Sequence, residues 1–227
     1  MSWSGHRHGM GRRSYHHGDL REALIKAALE LIAEKGPAGF TFAEAARSAG
    51  VSSAAPYRHF RDRESLLADV ARRGFERFAA ELEQAWDAGR PDPLTAFENV
   101  GRAYLAFARR EPAYYAAMFE AGLPHDGDPA LTQAGECAFA VLRKASEALA
   151  AKLPKEGRPP ALMMSLHVWA LSHGIASLFG RGDAARRSLP MSPEQLLEAA
   201  VLIYLRGLGI GGDSPPDPAT PPGRGSP

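Results

Sequence analysis

TFAEAARSAGVSSAAPYRHF, residues 41–60, is the stretch on which the reading of this chain turns. Thr41, with Glu44 three residues on, has the form of a capping box, in which the hydroxyl takes the amide of the third helical residue and the carboxylate reaches back to the cap amide. A short helix follows, with Ala43, Ala46 and Ala49 keeping one face small enough for another helix to approach. Gly50 stands where a helix stop needs a residue tolerant of positive φ, and Val51 turns inward behind it. Ser52 or Ser53 then caps a second helix. Pro56 fits that helix as its third residue, where a missing N–H has no intrahelical partner to lose. On this reading Ser53, Ala54, Tyr57 and Arg58 face outward and Phe60 closes the core. Two short helices around a tight turn, the second opening on small and hydroxylic side chains, have the shape that enters a DNA major groove.

The wider run AARSAGVSSAAPYRHFRDRESLL resembles the helix-turn-helix of the TetR/AcrR family of repressors, from the Gly-Val-Ser turn through Tyr-Arg-His-Phe to the acidic-basic-Glu opening of the next helix. YHHGDLREALIKAALELIAEKG is similar to that family's first helix, so the resemblance is strong over about 18–78. It is looser over VWALSHGIASL, 168–178, which resembles the Trp-His-Gly segment of one C-terminal subgroup. The resemblance implies an all-α fold: a three-helix DNA-binding head over 18–78 and a helical ligand-binding and dimerisation body over 79–210. Tyr57 and His59 are then expected on phosphates, with Thr41 and Arg63 anchoring helix ends. Ser53 and Ala54 are expected to face bases, and Ser52 and Arg58 complete the expected DNA-binding set. Arg63 stands where the family usually has Lys, which keeps the charge and changes the donor geometry. Ser53 occupies a base-facing position that varies within the family, so no operator sequence follows from it.

The formal charge of the 227 residues is only +1, but it is unevenly spread. Residues 1–75 hold twelve Lys/Arg against eight Asp/Glu, and the remainder fifteen against eighteen. The excess positive charge thus accompanies the helix-turn-helix, as phosphate neutralisation requires. Cys137 is the single cysteine, which excludes an intrachain disulfide and fits a reducing cytoplasm; without close sequence partners it is expected to be buried and inert. No apolar run follows the N-terminal charges, so no secretory signal is expected.

Residues 1–17, rich in Gly, Arg and His, read as a flexible basic arm. The arm's histidines lack a completing Cys or carboxylate cluster, so neither a metal nor another cofactor is expected. Leu20, Leu24, Ala28, Leu31 and Ile32 recur at helical spacing. Asp62 caps a long helix that meets no breaker before Ala88 and therefore links head to body. Beyond Gly89–Pro93, six of the nineteen aromatic residues fall between Phe97 and Phe119. The family resemblance makes an apolar effector cavity the expected use of Phe97, Tyr104, Phe107, Tyr115, Met118, Phe119, Trp169 and His173. Ala161–Phe179 is nineteen residues without a formal charge. Two histidines, three serines and an amphipathic neighbour argue against a membrane span. A helix apolar all round is instead covered on all sides, in part by a second copy of the chain. Ala170, Gly174, Ala176 and Ser177 suit close helix contact, and Leu196, Leu197, Ala200, Val201, Tyr204 and Leu208 make a matching face for a four-helix homodimer bundle. Residues 211–227, with six prolines and four glycines, are expected to be disordered.

No nucleophile elbow, phosphate loop, zinc-protease motif or Cys pair is present, so catalytic residues are not expected. The expectation is a ligand-responsive repressor that binds a palindromic double-stranded DNA operator as a homodimer and is released by an apolar or aromatic small molecule. A DNA-binding regulator or architectural protein without a small-molecule inducer, or an α-helical enzyme using His167 or His173, would serve as alternatives. The first needs no large aromatic body, and the second needs a further polar partner beside those histidines.

Overall fold

The computed structural model describes residues 17–124, 127–153, 155, 158–180 and 190–209, and the regular elements among them are helical. The expected arm, apart from His17, and the expected tail lie outside these residues. Side-chain caps fix most helix starts. Helix α1 runs over His17–Lys35 and α2 over Phe42–Ser48. The capping box at α2 is complete: the Glu44 amide donates to Thr41 Oγ1 at 3.2 Å and the Thr41 amide to Glu44 Oε2 at 2.7 Å. These bonds, with Lys35 Nζ at 3.0 Å, pull the Glu44 carboxyl down from 4.5 to about 2. Asp62 opens α3, Arg63–Trp86, with a second capping box to Ser65. Asp92 opens α4, Pro93–Arg110, and Asp128 opens α6, Pro129–Ala150, each with proline in the first turn. Between these, α5 spans Pro112–Phe119. The last two helices are α7, Ala161–Gly180, and α8, Pro193–Gly207, the latter again with a capping box, from Ser192 to Gln195.

The long helix organises everything else. The 24 residues of α3 span roughly 36 Å at about 1.5 Å each. Leu66, Leu67 and Val70 at its start are fully buried with Leu24, Ala28 and Ile32 of α1, and Phe60 and Ala45 complete the head core. Farther along, Phe78, Leu82 and Trp86 are buried in the body, where α4, α5 and α6 pack against the same rod. It ends at Trp86, and Asp87, Ala88 and Gly89 all take positive φ, so the chain reverses three residues earlier than the Gly-Pro cluster alone suggests.

Head and rod are joined by ions as well as by packing. Asp69 is only 5% exposed, within the apolar face of α3. It takes Arg72 at 2.7 Å, Arg21 of α1 at 3.0 Å and Arg73 at 3.3 Å. Arg73 in turn grips Glu22 of α1 with both terminal nitrogens, at 2.6 and 2.7 Å.

Four expectations are corrected. Residues 53–60 do not form a second α-helix. The Ser52 carbonyl that would sit four residues before Pro56 instead takes the Ala55 amide at 3.0 Å, because Pro56 has no N–H to offer. The chain makes a turn and then a single 3-10 turn, Pro56–Arg58, and Ser53 caps nothing. The small face of α2 is Ala45 and Ala46, with Ala43 exposed. Cys137 is exposed, because the inward stripe of α6 runs through Ala134, Ala138, Val141 and Ala145, and residue 137 falls beside Gln133 and Glu136. On α8 the residues buried against the chain's own body are Leu197, Val201 and Leu205, so Leu197 and Val201 cannot serve an outer face; Leu202 and Ile203 are the exposed ones.

Candidate functional site

Two sites lie at opposite ends of α3. The first is the outer surface of the head. The turn at Gly50, with φ of +73° and open space around it, throws the chain out. Ser52, Ser53 and Ala54 are consecutive exposed residues at its tip, and Arg58 is exposed beside them. Tyr57 is 63% exposed, with its ring held edge-on against Phe42 at 5.1 Å, so the phenol is steadied while its hydroxyl faces solvent. His59 is half-buried. Thr41 is exposed but its hydroxyl is committed to Glu44, which it both caps and donates to at 3.0 Å. Arg63 folds back onto the α1–α2 turn. Its Nε donates to the Phe40 carbonyl at 2.8 Å, an Nη donates to the Pro37 carbonyl, and its guanidinium lies 4.9 Å over the Phe40 ring. It ties the α1–α2 turn to α3 rather than standing free at the surface. A lysine there would lack the planar fork these two carbonyls use.

The second site is a cavity of about 610 Å³ in the body, within the range of small-molecule pockets. Helices α3 to α7 all contribute to its wall. Tyr104, Met118, Phe119, Trp169 and His173 of the expected set line it. Phe97 and Phe107 do not: Phe107 is fully buried in the packed core, 5.0 Å from the Phe78 ring, and Phe97 lies against a far smaller recess beside α8. Tyr115 stands behind the wall, stacked on His173 at 5.8 Å. Sequence reasoning missed Phe75, Phe78, Phe139 and Leu142 on the wall.

One end of the cavity is polar. Tyr104 and Tyr115 hydroxyls lie 3.1 and 2.8 Å from His173 Nδ1. Burial pushes both phenols up and the imidazole down, so all three are neutral at pH 7.

Helix α5 lies between the two sites, packed on α1, α3 and α4. Its Met118 lies on the cavity wall and its sulfur rests on Gly74 of α3, where an added Cβ would sit 2.7 Å from Sδ. Its Tyr114 takes the Arg77 guanidinium of α3 over its ring at 4.9 Å.

The chain is matched over residues 24–70 by the family model described as bacterial regulatory proteins, tetR family, and over 97–204 by that of the tetracyclin repressor-like C-terminal domain. It is similar to a solved protein of unknown function from Rhodococcus sp. RHA1, with 30% identity and a TM-score of 0.70, over 87% of this chain and 99% of that one. It shares its fold with the TetR family transcriptional regulator PfmR from Thermus thermophilus, at 22% identity and a TM-score of 0.59, covering 82% and 98% of the two chains. The fatty acid degradation regulator FadR from Bacillus halodurans has the same fold at 13% identity and a TM-score of 0.65, covering 84% and 96%. No curated protein matches the chain in sequence.

Proposed function

The chain belongs to the TetR family, DNA-binding transcriptional regulators that are not enzymes, and from that premise we propose that it is a cytoplasmic homodimeric repressor released from a palindromic operator by a small effector. The observation that carries this reading is the placement of an outward helix-turn-helix tip and a 610 Å³ apolar cavity on one continuous helix. The head, over 18–78, and the body, over 79–210, meet within α3. An effector in the body would favour a conformer whose two heads no longer match the half-site spacing. A coupling of about 1–3 kcal/mol is enough for a substantial change in occupancy.

Ser53 and Ala54, with Ser52 beside them, are the base-facing candidates in this proposal, and Tyr57, Arg58 and His59 the phosphate-facing ones. Thr41 and Arg63 act by holding the helix-turn-helix in shape. Selection of bound sequences from a random DNA pool tests the reading directly, and a palindrome is the expected result. Against that palindrome, Arg58→Ala should weaken binding to all sequences alike and lower the slope of log affinity against log salt by roughly one. Substitution of Ser53 should change which sequences are preferred. An unchanged salt slope for Arg58→Ala would remove that residue from the phosphate contacts.

The dimer is supported by an apolar face that the described residues leave open. Leu162, Met163, Leu166 and Leu178 of α7 and Leu202 and Ile203 of α8 are between 41% and 72% exposed, and Ala170, Gly174 and Ser177 lie among them. We assign this face to the partner subunit. Nothing lies within 4 Å of a Cβ built on Gly174, so the single chain accommodates a side chain there. Gly174→Leu should therefore leave the helical content intact and shift the sedimentation equilibrium toward monomer, by about 1–3 kcal/mol of overpacking. A wild-type chain that sediments as a monomer at micromolar concentration would exclude the dimer and the palindrome together.

A further inference from the structure

The polar end of the cavity sets two phenol hydroxyls against one imidazole nitrogen. His173 Nδ1 offers one hydrogen-bonding position: a lone pair that accepts one hydroxyl, or an N–H that donates to one oxygen. Tyr104 and Tyr115 both reach it, at 3.1 and 2.8 Å, and are 3.5 Å from each other. With Nδ1 as acceptor, Tyr115 holds it at the shorter distance, and the Tyr104 proton is left a competing or a long contact. With Nδ1 as donor, one tyrosine proton closes the second link and the other has no acceptor within the cluster. Of the two, Tyr104 is the one on the cavity wall.

Charge narrows the complementary ligand further. Among the described residues, no Lys or Arg lines the cavity, and the one acidic side chain on its wall is Glu136, which is exposed. A carboxylate buried there would lose its hydration and meet no counter-charge. The rest of the wall is aromatic and aliphatic.

We infer that the cavity selects an uncharged, mainly aromatic or apolar molecule bearing one acceptor oxygen, a ketone, ester or ether, to which Tyr104 donates, and that it rejects the matching carboxylate. This rests on the reading of the cavity as the effector site. It differs from a general apolar pocket, which would rank ligands by buried area alone, and from a pocket for free fatty or aromatic acids.

Three probes on one skeleton separate these cases: 4-acetylbiphenyl, biphenyl and biphenyl-4-carboxylate, titrated into the full chain at pH 7.5 without DNA, with Trp fluorescence as the signal. The ketone should bind about fivefold more tightly than biphenyl, the worth of one neutral hydrogen bond, and at least about tenfold more tightly than the carboxylate. Tyr104→Phe should abolish the ketone's advantage while leaving biphenyl affinity within about twofold. A carboxylate that binds as well as the ketone overturns the inference. So does a ketone advantage that survives Tyr104→Phe, or a failure of all three probes to bind at millimolar concentration. If Tyr104→Phe does not fold, the wild-type ranking of the three probes decides alone. Sequence selection from a DNA pool uses none of these probes, so the DNA-binding reading stands or falls separately.

Discussion

Asp69→Ala is expected to lower the melting temperature by roughly 6–12 °C, at about 2–4 °C per kcal/mol for a chain of this size. Removing one partner of a buried ion pair typically costs about 3–5 kcal/mol, because the remaining charge is left without compensation. The low end applies here. Arg72 keeps Glu76, Arg73 keeps Glu22, and Arg21 is 42% exposed, so water can take up part of the loss. Asp69→Asn should cost less, since its amide oxygen still accepts one guanidinium. The effect has a pH signature. Burial pushes the Asp69 carboxyl up, but the hydrogen bonds and charges of Arg72 and Arg21 outweigh it and hold the group below its usual value. A carboxyl lowered in the folded state contributes stability that is fully present above the unfolded value, about 3.9, and is lost as pH falls through the folded one. The difference in melting temperature between wild type and Asp69→Asn should therefore be constant near neutrality and shrink below about pH 4. A melting temperature for Asp69→Ala within 2 °C of wild type would show the network to be a surface feature.

Why that network was not legible, while so much around it was, has a physical explanation. Thr41 with Glu44, Gly50 and Asp62 were readable because a cap or a left-handed stop is a contract between residues three to five apart, and all three are realised. Asp69 was overlooked because helical periodicity assigns LLADVA to a buried face, and only the tertiary approach of Arg21 makes a carboxylate tolerable there. The same limit governs the second half of the helix-turn-helix. Pro56 satisfies the rule for a first-turn proline, but it offers no N–H to the Ser52 carbonyl, which takes the Ala55 amide in a tighter turn. Aromatic spacing located the cavity between the right helices yet could not tell wall from backing. Tyr104 and Phe107, three apart on α4, both meet the Phe78 ring, one from the cavity side and one from the core side. On α8 the apolar residues run almost continuously from Leu196 to Leu205, so periodicity alone could not decide which of them turn outward.

Gly74→Ala should separate the cavity from the head without dismantling either. A glycine in the middle of a long buried helix costs about 1 kcal/mol against alanine, so its presence calls for a packing reason. Met118 supplies it: a Cβ on residue 74 would lie 2.7 Å from the sulfur, 2.9 Å from Cγ and 3.3 Å from the Tyr114 ring. The first two atoms belong to a flexible side chain, which can move, and the open direction is the cavity it already lines. The gain in helix propensity and an overpacking penalty of about 1–3 kcal/mol then oppose each other, so the melting temperature should change by only a few degrees. Binding in the cavity should not escape so lightly. With Met118 driven inward, affinity for 4-acetylbiphenyl should fall at least about tenfold, while operator affinity of the ligand-free protein stays within about twofold. Adding Met118→Ala to Gly74→Ala removes the displaced thioether and should restore most of the probe affinity. The double-mutant cycle then measures the coupling between the cavity wall and the rod. If Gly74→Ala alone binds both probe and operator as wild type does, the Met118 contact carries no signal. The route from effector to DNA would then have to run through α4 or α6, which flank the same stretch of α3.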